Sequence, residues 1–362
     1  IADEAGNGLW QAECRVLQSR YCFDAGDDLD ALEHARAAVD LVPAGASAHA
    51  AEAHASLARC LLRLGRHAEF LEQSMLALHL ARTAADRRVE GMVLNELGMQ
   101  ADDEGDYGLA MERYAEALVL HRAIGNRNSE GGTLNNLGYA AMSLGDYETA
   151  IERFGEARAL FAAVGNRQNE AVTWINAGIA ELNLGRPEVA LDAIDKALPI
   201  LRAAGARWLE AAALRLQGQS ELALGRFQIA GTHLLGSRNQ FRALNMTQFA
   251  LEPSAALAQV ALLSGDSAAA LNEVESILDA QAQGMSLDGT EEPMRVALIC
   301  HQVLAECRDP RASMVLGQAH ESLMSRAHRI SDEARRRSFL ERVPYQRQIV
   351  RAWASTMGLA PN

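Results

Sequence analysis

Residues 126–165 read NRNSEGGTLNNLGYAAMSLGDYETAIERFGEARALFAAVG. Two runs of similar length flank Leu144-Gly145, and Gly165-Asn166 closes the second. Within the second run, Ile151 and Phe154 fall three apart, and Ala150 and Phe154 four apart. Residues so spaced share one stripe of an α-helix, so the stretch predicts a helix of about 17 residues, a tight turn, a second helix and a stop.

The turn glycine recurs as Gly26, Gly65, Gly105, Gly145, Gly185, Gly225 and Gly265, with one gap of 39 residues and five of 40. Five residues after it stand Ala31, Phe70, Ala110, Ala150, Ala190, Ala230 and Ala270. Seven before it stand Ala58, Gly98, Gly138, Gly178, Gly218 and Ala258. Glycine ends the first helix because it enters the left-handed cap conformation cheaply. The small residues on either side let the two helices of a hairpin approach closely. Larger apolar residues such as Leu94, Leu134, Trp174 and Leu214 fill the remaining core positions. A fixed period of this length is the mark of a repeat array. The predicted fold class is therefore all-α, a right-handed α-α superhelix of about eight hairpins. Its turns lie at 26, 65, 105, 145, 185, 225, 265 and 309.

The central unit strongly resembles the tetratricopeptide repeat. A bulky residue, Leu-Gly, Gly-Asp-Tyr, an alanine and an aromatic occur here as Leu134, Leu137-Gly138, Gly145-Asp146-Tyr147, Ala150 and Phe154. The 40-residue unit resembles the longer variant of kinesin light chains and bacterial signalling proteins. The resemblance covers roughly residues 8–328. It weakens at Arg15, which replaces a bulky apolar residue, and at Pro253, which should kink or restart its helix. Gly284 to Pro293 reads as a longer loop, and a last hairpin turns at Asp309-Pro310. The expected division is a solenoid over 1–330 and a C-terminal capping helix pair over 331–362, with helices opening at Ser331 and Pro344. ALEPSAALAQVALLSGD, LDGTEEPMRV and ISDEARRRSFLERVPYQRQIVRAWA look like the C-terminal arm of large bacterial signal-transducing ATPases and transcriptional regulators. That resemblance implies a sensor arm following an NTPase or effector module of the same polypeptide. The opening residue, Ile1, agrees with a piece of a longer chain.

Composition narrows the function. The 362 residues carry a net charge of −13, which argues against nucleic acid as a general partner. The exception is the tail, where eight Arg face three acids between Arg326 and Arg351. The five cysteines are scattered without a CxxC pair, which points to a reducing compartment, the cytoplasm. No apolar run is long enough to span a membrane, and no signal peptide is visible.

No phosphate loop, HExxH, GxSxG or strand-borne GxGxxG occurs, and the ten histidines are dispersed. Asp27-Asp28 and Asp102-Asp103-Glu104 flank turns, where acids cap helices, so they read as structural and not as metal ligands. No catalytic residue, metal or cofactor is expected. The columns Arg87, Arg127, Arg167, Arg207 and Glu90, Glu130, Glu170, Glu210 read as an i, i+3 structural ladder.

The family resemblance implies that first-helix side chains line a concave groove. By column these are Arg59 and Arg63; Asn95 and Met99; Asn135, Asn136, Tyr139 and Met142; Ile175, Asn176, Ile179 and Asn183; and Arg215 and Gln219. Asp102 and Asp103 lie beside the second set. Asparagine offers donor and acceptor together, which suits the backbone of an extended peptide, and the apolar middle suits an anchor side chain. The recurrence of Asn at these positions also fits plain repeat consensus. The expected function is a non-catalytic protein- or peptide-binding scaffold, the sensing arm of a multidomain bacterial regulator. The alternatives are a free-standing adaptor or peptide-pheromone receptor and, last, an enzyme.

Overall fold

The computed structural model describes residues 2–43 and 45–358. Among them are 18 α-helices, one short 3-10 turn at Leu287–Gly289, and no strand. The expected cap residues 359–362 lie outside the described residues. The chain divides into two compact units, one ending at Leu137 and the other beginning at Gly138, inside one helix.

The first unit contains the hairpins α1 (Ala2–Ala25) and α2 (Asp28–Leu41), α3 (Ser47–Arg63) and α4 (His67–Thr83), and α5 (Arg87–Asp103) and α6 (Tyr107–Ala123). It also takes in most of α7 (Arg127–Ser143). Its core joins Leu57, Leu61, Phe70, Leu78, Val89, Val93 and Leu94. The second unit continues with α8 (Tyr147–Ala163), α9 (Arg167–Asn183), α10 (Pro187–Ala203), α11 (Arg207–Ala223) and α12 (Phe227–Ala243). Then come α13 (Leu251–Leu263), α14 (Ser267–Ala282), α15 (Pro293–Glu306) and α16 (Ala312–Arg329). Two short helices end it, α17 (Glu333–Arg342) and α18 (Pro344–Thr356). Its cores gather Ile175, Ile194, Leu201, Leu209 and Leu216, then Val274, Ile277, Val296, Val303 and Leu304.

The turns follow from the residues in them. Gly145 has φ +77°, the left-handed value the column requires. Asp106, Asp146 and Asp266 follow turn glycines, and each side chain accepts the N–H three residues on, at 3.1, 3.4 and 2.9 Å. Where arginine stands instead, Arg186 pairs backward with Glu181 at 3.1 Å and Arg226 with Glu221 at 3.0 Å, while Arg66 pairs forward with Glu69. Pro253 restarts its helix as expected. It sits in the first turn of α13, where its missing N–H leaves no bond unmade.

The glutamate ladder is built differently from the i, i+3 expectation. Glu90, Glu130 and Glu210 bond Arg82, Arg122 and Arg202 of the preceding helix, at 2.7, 2.8 and 2.8 Å. Only Glu170 bonds the arginine three before it, Arg167, at 2.7 Å, because the preceding helix carries Ala162 at the arginine position. The arginines are about half exposed, so each pair contributes roughly 0–1 kcal/mol.

Helix approach is set by the small-residue column. A Cβ placed on Gly98 would stand 2.5 Å from the Tyr114 ring, whereas one on Gly132 would meet nothing within 4 Å. Gly98→Ala is therefore expected to destabilise the protein by about 1–3 kcal/mol. Gly132→Ala should stabilise it by about 0.5–1 kcal/mol through helix propensity. Denaturant unfolding of the two variants, side by side, checks the opposite signs.

Candidate functional site

In the first unit the predicted groove residues lean on one another from hairpin to hairpin. Arg59 Nε donates to Glu96 Oε1 at 2.7 Å, and its guanidinium faces Met92 Sδ. Arg63 bonds Asp28 at 2.6 Å, donates to the Phe23 carbonyl, and lies 3.3 Å above the Phe23 ring centre. Asn95 Oδ1 accepts from Thr133 at 3.0 Å and from Asn136 at 3.2 Å, while its amide points to Met99 Sδ at 3.7 Å. Asn135 is half-buried, and Met99 is exposed. Asp102, beside this row, has its carboxyl pushed up to about 7 by burial and by the neighbouring charge of Asp103. One of its oxygens is buried without a hydrogen bond.

The second unit treats the same columns differently. Ile175 is 4% exposed and belongs to the core, with Ile179 packed against that cluster. Tyr139, Met142 and Asn176 are half-buried. Asn183 Nδ2 donates to the Ile179 carbonyl of its own helix at 3.0 Å. Arg215, read from sequence as an open cation, is instead 2% exposed and ringed by carboxylates. It bonds Glu252 at 2.9 Å, Glu292 at 3.3 Å, and Glu291. Glu252 Oε1 also accepts the Glu292 N–H at 3.0 Å, and Arg295 bonds Glu292 at 3.2 Å. Burial pushes the Glu252 carboxyl up to about 7, against the pull of Arg215. The cluster ties the 284–293 loop to α11 and α13.

The C-terminal helices return to the first turn of this unit. Ser338 Oγ donates to the Leu144 carbonyl at 2.7 Å, and Gly145 lies against Arg342 and Val343. Phe339, Val343 and Ile349 are buried, while Arg337, Arg342, Arg347 and Arg351 stay exposed. Of the tail arginines, Arg326 bonds Asp288 at 2.6 Å and Arg337 bonds Glu333 at 3.4 Å. Burial, and then the nearby charge of Glu292, drive the hydroxyl of Tyr345 on α18 far above its ordinary pKa. Beside it a cleft of about 380 Å³ remains open, lined by Asn183, Gln219, Gln259, Arg295, Tyr345 and Gln348 with Leu182 and Leu222. Gln219 is 3% exposed at its wall. Two predicted residues, Asn183 and Gln219, thus meet in one cleft. Sequence columns missed its other walls, because Arg295, Tyr345 and Gln348 lie outside the 40-residue period.

Residues 129–203 match the tetratricopeptide repeat family. The protein has a tetratricopeptide-repeat fold. Solved structures with this fold include a Rap protein complexed with competence and sporulation factor, at TM-score 0.65 and 15% identity, covering 96% of this chain and 99% of that one. The apo quorum sensor NprR from B. thuringiensis follows at TM-score 0.64 and 14% identity, covering 95% and 98%. A third is a signal transduction ATPase with numerous domains from Pyrococcus horikoshii, which carries a tetratricopeptide repeat sensor. It gives TM-score 0.60 and 17% identity, covering 76% of this chain and 43% of that one. No curated protein matches by sequence. Among the described residues, no helix of this tetratricopeptide array is long and apolar enough to cross a membrane.

Two stability measurements test the site. Arg215→Ala would leave three glutamates together without their cation, and is expected to cost about 3–5 kcal/mol in a denaturant melt. The raised Asp102 carboxyl stabilises the fold relative to the free side chain only while protonated. That contribution is complete below about pH 4, falls as pH rises, and is gone above about pH 7. Asp102→Asn should therefore stabilise the protein at pH 8 by on the order of 1 kcal/mol, read as a higher melting temperature, and leave it unchanged near pH 4.

Proposed function

We propose that this chain is a non-catalytic scaffold that binds a peptide or protein segment, as the sensing arm of a multidomain bacterial signalling protein. The observation carrying the proposal is the cleft between α9, α11, α13, α15 and α18. Five amide side chains line part of it, those of Asn183, Gln219, Gln259, Gln302 and Gln348. Amide side chains give and accept hydrogen bonds in equal measure and match a peptide backbone. Tyr345 and the flanking leucines offer one apolar contact for an anchor side chain. The first unit offers a separate set of polar residues, Asn135 and Met99 with Arg59 and Arg63 positioned by Glu96 and Asp28. The tetratricopeptide sensor of the Pyrococcus ATPase supports the arm reading.

A second reading, a free-standing receptor, draws support from coverage. The Rap and NprR structures match nearly end to end, whereas the ATPase is covered over 43% of its length. The upstream reading frame separates the two: a continuous frame encoding a GK[ST] phosphate loop decides for the arm.

Selection of a random 12-residue phage-displayed peptide library against the protein tests binding itself. The expected result is one enriched sequence family whose affinity falls about tenfold, or 1.4 kcal/mol, in Gln219→Ala and in Asn183→Ala at unchanged melting temperature. No enriched family, or binders indifferent to both substitutions, would refute the cleft as the binding site.

A further inference from the structure

Along most of the second unit the connections between hairpins are short: residues 164–166 join α8 to α9, and 204–206 join α10 to α11. From α14 to α15 the chain takes residues 283–292 instead. That loop, with α15 and α16, encloses a cavity of about 420 Å³. The repeats supply an internal control for why the space is there. Eleven residues before the left-handed turn glycine, the four central repeats carry Leu94, Leu134, Trp174 and Leu214. In the last hairpin the left-handed turn residue is Arg308, at φ +56°. Its N–H bonds the carbonyl three residues back, as that of Gly145 does. Counting back eleven from Arg308 gives Ala297, on the cavity wall. The bulky side chain of that column is missing here, and the facing helix α16 contributes only Val315, Ala319 and Ser322 opposite it.

The floor of the cavity is apolar and rich in sulfur. Met294 and Cys300 are 5% and 2% exposed, and Met285 of the loop packs against the cluster that holds Cys300. Burial pushes the Cys300 thiol up to about 12, so this wall carries no charge. Thioether sulfur makes favourable contact with aromatic rings, and the flexible methionine chain adjusts to their shape. The rim is polar, with the amides of Gln281 and Gln318 and the hydroxyl of Ser322. Such groups donate and accept hydrogen bonds without bearing charge. Among the described residues that line the cavity only Asp288 is charged, and Arg326 already bonds it at 2.6 Å. An ionic ligand would leave water and find no free counter-ion, which is costly. The volume falls within the span of small-molecule sites, roughly 300–1,000 Å³.

We propose that this cavity is a second ligand site, taking an uncharged small molecule with an aromatic body and a hydrogen-bonding edge. The body lies on Met285, Met294 and Cys300 in the space left by Ala297, and the edge meets Gln281, Gln318 and Ser322. The site is separate from the amide-lined cleft, and its ligand does not depend on what fills that cleft. Helix α15 divides the two. At 100° per residue, Met294, Ala297 and Cys300 fall on one side of the helix, and Arg295, Leu298, Ile299 and Gln302 on the other, where they line the cleft.

Calorimetric titration with three probes of one shape tests the proposal: 3-phenylpropanamide, which is neutral, 3-phenylpropylamine, which is a cation, and 3-phenylpropanoate, which is an anion. The amide is expected to bind saturably, and each charged probe at least about tenfold more weakly. Ala297→Leu restores the column residue and fills the cavity, so it should weaken the amide by about tenfold or more while the melting temperature holds or rises. Ser322→Leu fills the cavity from the facing helix and should give the same loss, which decides the matter if the first variant folds poorly. Gln219→Ala, in the cleft, should leave the amide's affinity unchanged. No saturable binding of the amide, equal binding of all three probes, binding that survives both filling substitutions, or binding lost in Gln219→Ala would each overturn it.

Discussion

Two helices can lie this close only where one of them has no side chain to interpose. Gly98 admits the Tyr114 ring, Gly138 the Phe154 ring and Gly218 the Leu234 side chain, each at a distance no Cβ could share. The aromatic or leucine that fills the gap is then almost wholly buried. With the hairpin closed at that point, its next glycine turn falls at a fixed number of residues, and the columns stay in step. Helix length, turn chemistry and the polar ladder all follow from that spacing. The contact recurs in three hairpins, and the small side chains of Ala58 and Ala258 hold the same column in two others.

What the ladder supports differs between the units. In the first, side chains of successive first helices bond one another, and the groove face is a string of satisfied polar pairs such as Arg59 with Glu96 and Asn95 with Asn136. In the second, a later loop covers one of these columns at Arg215. The 284–293 loop brings Glu291 and Glu292 to Arg215, and α18 places Tyr345 at the cleft wall. A buried ion cluster of this kind adds little net stability compared with apolar packing, but it fails badly when one member is removed. Its value lies in fixing where the loop sits, and the cleft beside it is what the loop and α18 leave uncovered.

Periodicity made the hairpins readable because each turn depends on residues near in sequence. The 40-residue glycine column, the small-residue columns and the restart at Pro253 all report local geometry, and all are found in the structure. Column transfer was weaker for the site. It identified Asn183 and Gln219, which face the cleft, but it treated Arg215 as equivalent to Asn95 and Asn135. The carboxylates that bury Arg215 come from positions 37 to 77 residues away, two of them in a loop with no counterpart in other repeats. The ladder expectation held for Arg167 and Glu170 and missed the other three pairs for a related reason. The arginine that meets Glu90 lies eight residues back across a turn, and helix spacing rules speak only for residues on one helix.

The bond from Ser338 to the Leu144 carbonyl spans 194 residues of sequence. A linear repeat array has two free ends, and it frays from both, because each element touches only its neighbours. The second unit has joined its last helices to its first turn, which turns a line into a loop. An element in the middle can then no longer melt with only its neighbours to consult, since opening anywhere also strains the closure. Such a unit should lose its partial states and unfold as one body. In folding, the order reverses: hairpins assemble from near contacts, and the closure, with its long intervening chain, comes last.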